Sequence, residues 1–170
     1  MPTRMNPTPG RAIQIQSYDG TDIPNSIDVD PDPQTVQYAR QSESMGKLIR
    51  SGIRVLGPPT GRYNCHGLVF GSRRTNIPPS GLPNAVSIDD LLRWDLYQLV
   101  PSSPQPGDVI VYRGPSGGIE HTGYVTRIER LGSSDVVFVR SKWGAFEECE
   151  HREIDCPYSE CKIEYWRLVQ

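Results

Sequence analysis

The stretch Arg62-Tyr63-Asn64-Cys65-His66-Gly67-Leu68-Val69-Phe70 places a cysteine directly before a short apolar run. If the apolar run is helical, Cys65 lies at the N-terminal end of that helix, where backbone N–H groups are unpaired and the helix dipole is positive. Both conditions favour a thiolate and lower the pKa of the cysteine. Because the thiolate is the nucleophile, the stretch predicts a catalytic Cys65, and the alternative is a small buried hydrophobic residue.

The composition indicates one loop-rich domain. The chain has 170 residues, a net charge of −2, 36% hydrophobic residues, 16 glycines and 16 prolines. This length suits a single core. The lack of a basic excess argues against binding to nucleic acid or to a membrane surface, and no apolar run is long enough to span a bilayer. The N-terminus lacks the apolar core of a secretory signal, which predicts a protein that is cytoplasmic as synthesised or exported by a specialised secretion system.

The chain divides into an arm and a domain. Residues 1–31 are rich in Pro, Asp, Asn, Ser and Thr, and they predict an extended N-terminal arm with one short strand over residues 12–16. Residues 32–170 form the predicted domain. Within it, residues 72–86 carry three prolines and a glycine and predict a loop.

Helices are predicted in the first half of the domain. Asp32-Pro33 begins a helix that runs to about Arg50, because proline is tolerated in the first turn. Ser87-Ile88-Asp89-Asp90 resembles a capping box and begins a helix that runs to about Gln98. A short helix after Cys65 would end at Gly71.

Strands are predicted in the second half. The runs rich in β-branched residues cover residues 109–112, 119–128, 136–141 and 163–169, and turn sequences separate the first three. Helices followed by an antiparallel meander indicate an α+β fold.

A nucleophilic cysteine needs a base within hydrogen-bond reach. His66 is adjacent to Cys65, and neighbouring side chains on a helix diverge by roughly 100°, so His66 is poorly placed to serve. His121 begins a predicted strand, where alternation puts it on one face with Ile119, Gly123 and Val125, and the glycine leaves space beside the ring. The alternative for His121 is a hydrogen-bonded structural residue.

Three motifs in this order resemble those of the NlpC-type peptidases, papain-like cysteine hydrolases that cleave cell-wall peptides. Asn64-Cys65-His66-Gly67-Leu68-Val69 is similar to their nucleophile motif of a polar residue, Cys, a small residue, Gly and an apolar pair. Gly107-Asp108-Val109-Ile110-Val111-Tyr112 and His121-Thr122-Gly123-Tyr124-Val125 are similar to their strand pair. The resemblance covers about residues 60–142.

The resemblance implies a papain-like α+β fold in which the nucleophile, at a helix N-terminus, packs on an antiparallel sheet that carries His121. Asn64 stands where Asp is commoner, and His66 stands where a small residue is usual. The segment Ser141-Lys142-Trp143-Gly144, followed by His151 and Cys156-Pro157-Tyr158, resembles the ending of a divergent branch of bacterial papain-like proteins.

The family also implies a polar residue that orients the histidine from the following strand. Ser141 is the first candidate for this role, Asp135 the second and His151 the third. The oxyanion hole would use the backbone N–H of Cys65 and one further donor, and the hydroxyl of Tyr63 is a candidate to assist.

The implied activity is hydrolysis of an amide bond in a peptide or a peptidoglycan stem through a thioester, with no cofactor. An exported antibacterial toxin, with a cognate inhibitor or immunity protein as its partner, fits the residues. A cytoplasmic deamidase or isopeptidase and a catalytically inactive papain-like binding module are the alternatives.

Three further cysteines, Cys149, Cys156 and Cys161, lie near His151 and offer the ligand types of a structural zinc site. No Cys-x-x-Cys pair occurs, so the spacing favours reduced thiols and no metal. A Cys149–Cys161 or Cys156–Cys161 disulfide is the expectation for a protein that works outside the cytoplasm, and a zinc-stabilised interaction domain is a further alternative.

Overall fold

The computed structural model describes residues 12–78, 86–158 and 161–169, without the side chains of residues 43 and 44. These residues form an α+β fold built on one seven-stranded antiparallel sheet. The strands are β1 (Arg54–Gly57), β2 (Tyr97–Val100), β3 (Val109–Arg113), β4 (Ile119–Leu131), β5 (Ser134–Lys142), β6 (Glu148–Arg152) and β7 (Lys162–Leu168). The helices are α1 (Pro33–Arg40), α2 (Glu43–Arg50), α3 (Cys65–Phe70) and α4 (Ile88–Trp94), with a 3-10 turn at Glu153–Asp155.

The strand order is β1-β6-β5-β4-β3-β7-β2. The predicted α+β class, the antiparallel sheet and the strands β3, β4, β5 and β7 are confirmed. Three strands of the sheet, β1, β2 and β6, were not predicted. Two of them are its edges, and the third, β6, is polar in sequence.

Two predicted helices have different bounds in the structure. The helix expected from Asp32 to Arg50 is two helices, because the side chain of Ser42 caps a new start by accepting from the N–H of Met45 at 3.4 Å. The helix expected to reach Gln98 ends at Trp94. Leu96 then adopts φ +62°, which ends the helical path, and β2 follows directly.

The two faces of the sheet carry separate cores. One core joins α2 to the central strands through buried side chains: Met45, Leu48, Ile110, Tyr112, Val125, Val139 and Trp143. The other core joins α4 to the opposite face: Ile77, Ile88, Leu91, Leu92, Val109 and Val111. The alternation of Val109, Ile110, Val111 and Tyr112 between the two cores is the period-two pattern of a strand buried on both faces.

The part of the N-terminal arm that the structure describes, residues 12–31, contributes to the core. Ile15 and Ile23 are buried in the second core. The strand expected over residues 12–16 is absent from that part of the chain, where a single bridge joins Gln16 to Asp22. Residues 1–11 of the predicted arm and residues 79–85 of the predicted loop lie outside the described residues.

Candidate active site

Helix α3 begins at Cys65 because Asn64 caps it. The Asn64 side chain accepts from the N–H of Gly67 at 2.8 Å and donates to the carbonyl of Ile77 at 2.7 Å. Gly67 is required because a Cβ at that position would lie 1.8 Å from the carbonyl oxygen of Thr75. The motif Asn64-Cys65-His66-Gly67 therefore fixes the start of the helix and the position of Cys65.

The Cys65 side chain is buried, with 9% of its surface exposed. Burial raises the pKa of the thiol, and hydrogen bonding from Thr122 and from the N–H groups of His66 and Cys65 opposes this shift. The expectation of a lowered pKa at the helix terminus is thus wrong for this structure, since desolvation of the thiolate outweighs the nearby donors.

His121 is held by aromatic contacts. Its ring stacks on Trp143 at 4.3 Å between centroids with an interplanar angle of 7°, and on Tyr158 at 5.1 Å and 20°. Burial lowers the pKa of His121 well below its ordinary value, and the nearby His66 and His151 act in the same direction. The imidazole is therefore neutral at pH 7 and able to accept a proton.

The prediction that His121 and Ile119 share a face of the sheet is wrong, because the register between β3 and β4 shifts at Tyr112 and Arg113. His121 pairs with Tyr112, whereas Ile119, two residues earlier, lies in the opposite core. The predicted space at Gly123 is also filled, because a Cβ there would lie 2.5 Å from the Arg140 carbonyl oxygen and 2.8 Å from Ser141 Oγ.

Cys65 and His121 line one cavity of about 690 Å³. Helix α3 meets β4 at Thr122, the residue next to His121, and the thiol lies near the Thr122 backbone and hydroxyl. No hydrogen bond joins Cys65 to His121, and the buried Nε2 of His121 has no partner among the described residues. The structure thus brings the two predicted residues to one cavity, as a neutral thiol and a neutral imidazole.

His66 is buried and faces β4. Its Nδ1 lies 3.0 Å from the hydroxyl of Thr122, and burial lowers its pKa to about 4. Although His66 was expected to point away from the thiol, it lines the same cavity as Cys65 and His121.

Ser141 does not contact His121 by a hydrogen bond. Its hydroxyl lies 3.1 Å from Nε2 of His151, whose Nδ1 lies 2.7 Å from the carbonyl of Arg152. Because a carbonyl only accepts, Nδ1 carries the proton and Nε2 accepts from Ser141. Asp135, the second candidate, lies at the far end of β5, 3.3 Å from Arg130. The predicted orienting bond to His121 is therefore absent for the described positions Ser141, Asp135 and His151.

Tyr63 is also placed differently from its predicted role. Its hydroxyl donates to the buried carboxylate of Glu148, which Arg73 and Arg140 also bind. Burial acts to raise the pKa of Glu148, but the bonds from Arg73 and Tyr63 outweigh it and lower the pKa. The hydroxyl of Tyr63 therefore donates its proton to this ion-pair network and not to the predicted oxyanion position.

Two backbone donors lie beside the thiol. As the first two residues of α3, Cys65 and His66 have N–H groups without an intrahelical partner, and neither group donates to a backbone carbonyl of the described residues. Both groups act on the Cys65 thiol as hydrogen-bond donors. They form the pair of donors that an oxyanion would require.

Lys142 joins the loops on either side of the cavity. Its side chain is completely buried, and the ammonium donates to the carbonyls of Thr60 at 3.0 Å, Gly144 at 2.6 Å and Phe146. Burial lowers the pKa of Lys142 to about 8, against the attraction of Glu148 and Cys65. This residue ties the segment before α3 to the loop that carries Trp143.

The C-terminal cysteines are reduced thiols that do not share a metal site. Cys149 and Cys156 lie in the first core, where burial raises the pKa of Cys149 to about 11 and that of Cys156 to about 12. Neither expected disulfide is present. Within residues 12–78, 86–158 and 161–169, no group of three or more His, Cys, Asp or Glu side chains is arranged to hold a metal ion.

The sequence did not single out several residues of the site. Trp143 and Tyr158 shape the cavity around His121, Thr122 contacts both Cys65 and His66, and Glu120 stands at its edge. The signal for Trp143 and Tyr158 was present in the segments 141–144 and 156–158, which resemble the ending of a divergent papain-like branch. These segments did not predict where Trp143 and Tyr158 lie in the fold, because both residues are on loops.

Comparison of the chain with protein-family models, with curated proteins and with solved structures gives no match. In the described part of the chain, no helix has the length and apolar character needed to cross a membrane. The interpretation of the site therefore depends on its geometry and on the three sequence motifs.

Proposed function

We propose that the chain is a papain-like cysteine hydrolase of the NlpC type that cleaves an amide bond in a peptide or a peptidoglycan stem. The observation that carries this proposal is the single cavity lined by Cys65 and His121. The N–H groups of Cys65 and His66, which donate to the thiol and to no backbone carbonyl of the described residues, support it.

The reaction begins from the neutral pair. His121 accepts the thiol proton as Cys65 Sγ attacks the amide carbonyl, and the N–H groups of Cys65 and His66 stabilise the oxyanion. Collapse of the tetrahedral intermediate breaks the C–N bond, the amine leaves with the proton from His121, and a thioester remains. Water, deprotonated by His121, then hydrolyses the thioester and restores the thiol.

The test uses Cys65→Ala, His121→Ala and the double variant against a panel of peptide amides and purified peptidoglycan sacculi, with product release followed by mass spectrometry. Each single variant is expected to lose about 10³-fold or more in turnover, and the double variant should be little worse, because a nucleophile and its base act as a unit. His66→Asn is the control and retains substantial activity. Full activity of Cys65→Ala would overturn the proposal.

A binding module that has lost activity is the second candidate. The raised pKa of Cys65 and the lack of a hydrogen bond to His121 favour it. In that case a peptide of the panel binds the native protein and the Cys65→Ala variant equally, and neither protein releases product.

A further inference from the structure

The cavity beside Cys65 is mainly apolar. Its volume of about 690 Å³ is enough for a large side chain and the adjoining backbone. Helices α1 and α2 and the two loops after β5 and β6 supply the apolar lining: Ala39, Met45, Trp143, Phe146 and Tyr158.

The charge of the lining is negative. Glu120, an exposed residue whose Oε2 lies 3.5 Å from Cys161 Sγ, is the acidic residue of the lining, and none of the described lining residues is a lysine or an arginine. Arg40 and Lys142 are the sequence neighbours of two lining residues, Ala39 and Trp143, and both have other partners. Arg40 forms an ion pair with Glu147, and the ammonium of Lys142 donates to three carbonyls. A carboxylate inside the cavity would therefore lack a cationic partner among the described lining residues, which makes its desolvation unfavourable.

The cavity is the space next to the thioester. When the amine has left, the acyl group stays attached to Cys65 Sγ, so the volume that adjoins the thiol is open to its side chain. An apolar wall fits an apolar side chain there, and a described lining without lysine or arginine disfavours an acidic one.

We propose that this cavity selects substrates with a large apolar or aromatic residue on the acyl side of the scissile amide and rejects acidic ones. This inference rests on the proposed hydrolase function. It deepens that function by favouring apolar peptides over peptidoglycan stems that carry a carboxylate at this position.

The test uses N-acetyl amino-acid chloromethyl ketones, which alkylate a cysteine and carry one side chain on the carbonyl side. The phenylalanine, leucine, alanine and glutamate reagents are compared, with rates divided by their rates toward free glutathione and with the modified cysteine mapped by mass spectrometry. We expect the phenylalanine reagent to modify Cys65 at least about tenfold faster than the alanine reagent, and the glutamate reagent to be the slowest.

Two variants probe the wall directly. Glu120→Lys should reduce the ratio of the Cys65 alkylation rates with the phenylalanine and glutamate reagents by about tenfold. Asp135→Lys makes the same change of charge at the distant end of β5 and should leave this rate ratio unchanged. Ala39→Trp should fill the cavity and slow the phenylalanine reagent about tenfold without slowing iodoacetamide. Gln37→Trp is the matched control, because Gln37 is exposed on the same helix and does not line the cavity.

The outcomes separate this inference from the function beneath it. If Cys65 is modified in a reaction that requires His121, but the glutamate or alanine reagent equals the phenylalanine reagent, the apolar selection is wrong and the hydrolase remains. If no reagent modifies Cys65 faster than glutathione, and His121→Ala makes no difference, the hydrolase proposal itself is overturned.

Discussion

Burial sets the protonation of Cys65 and His121. A thiolate–imidazolium pair forms where a cation or a helix terminus lowers the thiol pKa. Here desolvation raises the pKa of Cys65 and lowers that of His121, so both groups are neutral near pH 7. The attack on an amide would then need proton transfer to His121 in the same step, as general base catalysis provides.

The first prediction follows from this protonation. Alkylation of Cys65 by iodoacetamide should be slow at pH 7 and should rise about tenfold per pH unit without levelling off by pH 8.5, because the thiolate is the reactive form and an ordinary cysteine has a pKa near 8.5. The measurement is the second-order rate between pH 5.5 and 9 with the site mapped by mass spectrometry. A plateau below pH 7 would show that the thiol is already ionised.

A thiolate at the helix terminus would make Cys65 the first cysteine to be alkylated, but the raised pKa of Cys65 changes the expected order. Cys149 and Cys156 are buried with raised pKa values, so they should react more slowly than Cys65. Cys161 is partly exposed and close to Glu120, and its greater exposure makes it the first site expected to react.

Among the elements, α3 carries Cys65, the proposed nucleophile, and Gly67 of this helix packs tightly against the backbone of Thr75. Gly67→Ala should destabilise the protein by about 3 kcal/mol or more, because the new Cβ would lie 1.8 Å from a carbonyl oxygen and the helix must move. The measurement is urea unfolding followed by circular dichroism. Gly46→Ala in α2 is the control, since its Cβ would meet only the flexible end of Arg50, and it should stabilise by about 0.5–1 kcal/mol. Equal effects of the two substitutions on the free energy of unfolding would contradict the close packing of Gly67 against Thr75.

The loops around the cavity depend on Lys142. Lys142→Met keeps most of the side-chain volume but removes the donors to three carbonyls, so we expect a loss of about 3 kcal/mol in the free energy of unfolding. Lys162→Met should be nearly neutral, because that ammonium is exposed and its partner Glu164 keeps the ion pair with Arg113. The prediction fails if both variants unfold at the same urea concentration.

The elements show which parts of the structure a sequence can predict. Helix α3 and strands β3, β4 and β5 follow from local signals: a cap, a glycine, turns and β-branched runs. Strand β6 was missed because Glu148-Cys149-Glu150-His151 does not read as a half-apolar strand. Its charged side chains are buried against partners distant in sequence, such as Arg73 and Arg127, and local composition does not encode those pairings.

The candidate site divides in the same way. Cys65 and His121 were predicted because each lies in a short motif on a regular element. Ser141 was assigned to His121 because the resembled family implies a polar residue on the strand after the histidine, but in the structure Ser141 pairs with Cys149 and its hydroxyl bonds to His151. A side chain's hydrogen-bond partner depends on strand order and on long-range register, which the sequence motifs do not specify.

For the whole molecule, all three histidines are buried, and burial lowers the pKa of each. His66 and His121 line the cavity, and His151 packs against Trp143, a lining residue of the same cavity. Because the neutral imidazoles are part of the packed structure, the stability of the fold is linked to the pH at which they would take up protons.

For His66 the linkage makes the fold less stable as the pH falls. Its pKa is about 4 in the folded chain and about 6.5 when unfolded, so between these values the unfolded state binds more protons. The stabilisation is fully present above pH 6.5 and is lost as the pH falls toward 4. For His66 alone the loss between pH 7 and pH 5 is about 2 kcal/mol, and His121 and His151 add to it with the same sign.

The last prediction is therefore a loss of stability in mild acid that a single substitution reduces. Urea unfolding at pH 7, 6, 5.5 and 5 should show the free energy of unfolding falling with pH in the native protein and falling less steeply in His66→Asn, whose amide can keep the bond to Thr122 without titrating. The range from pH 7 to pH 5 lies above the pH at which carboxylates such as Glu148, whose pKa is lowered, take up protons. Parallel pH profiles for the two proteins would mean that His66 takes up its proton with the same pKa in the folded and unfolded states, and that burial does not hold the ring neutral.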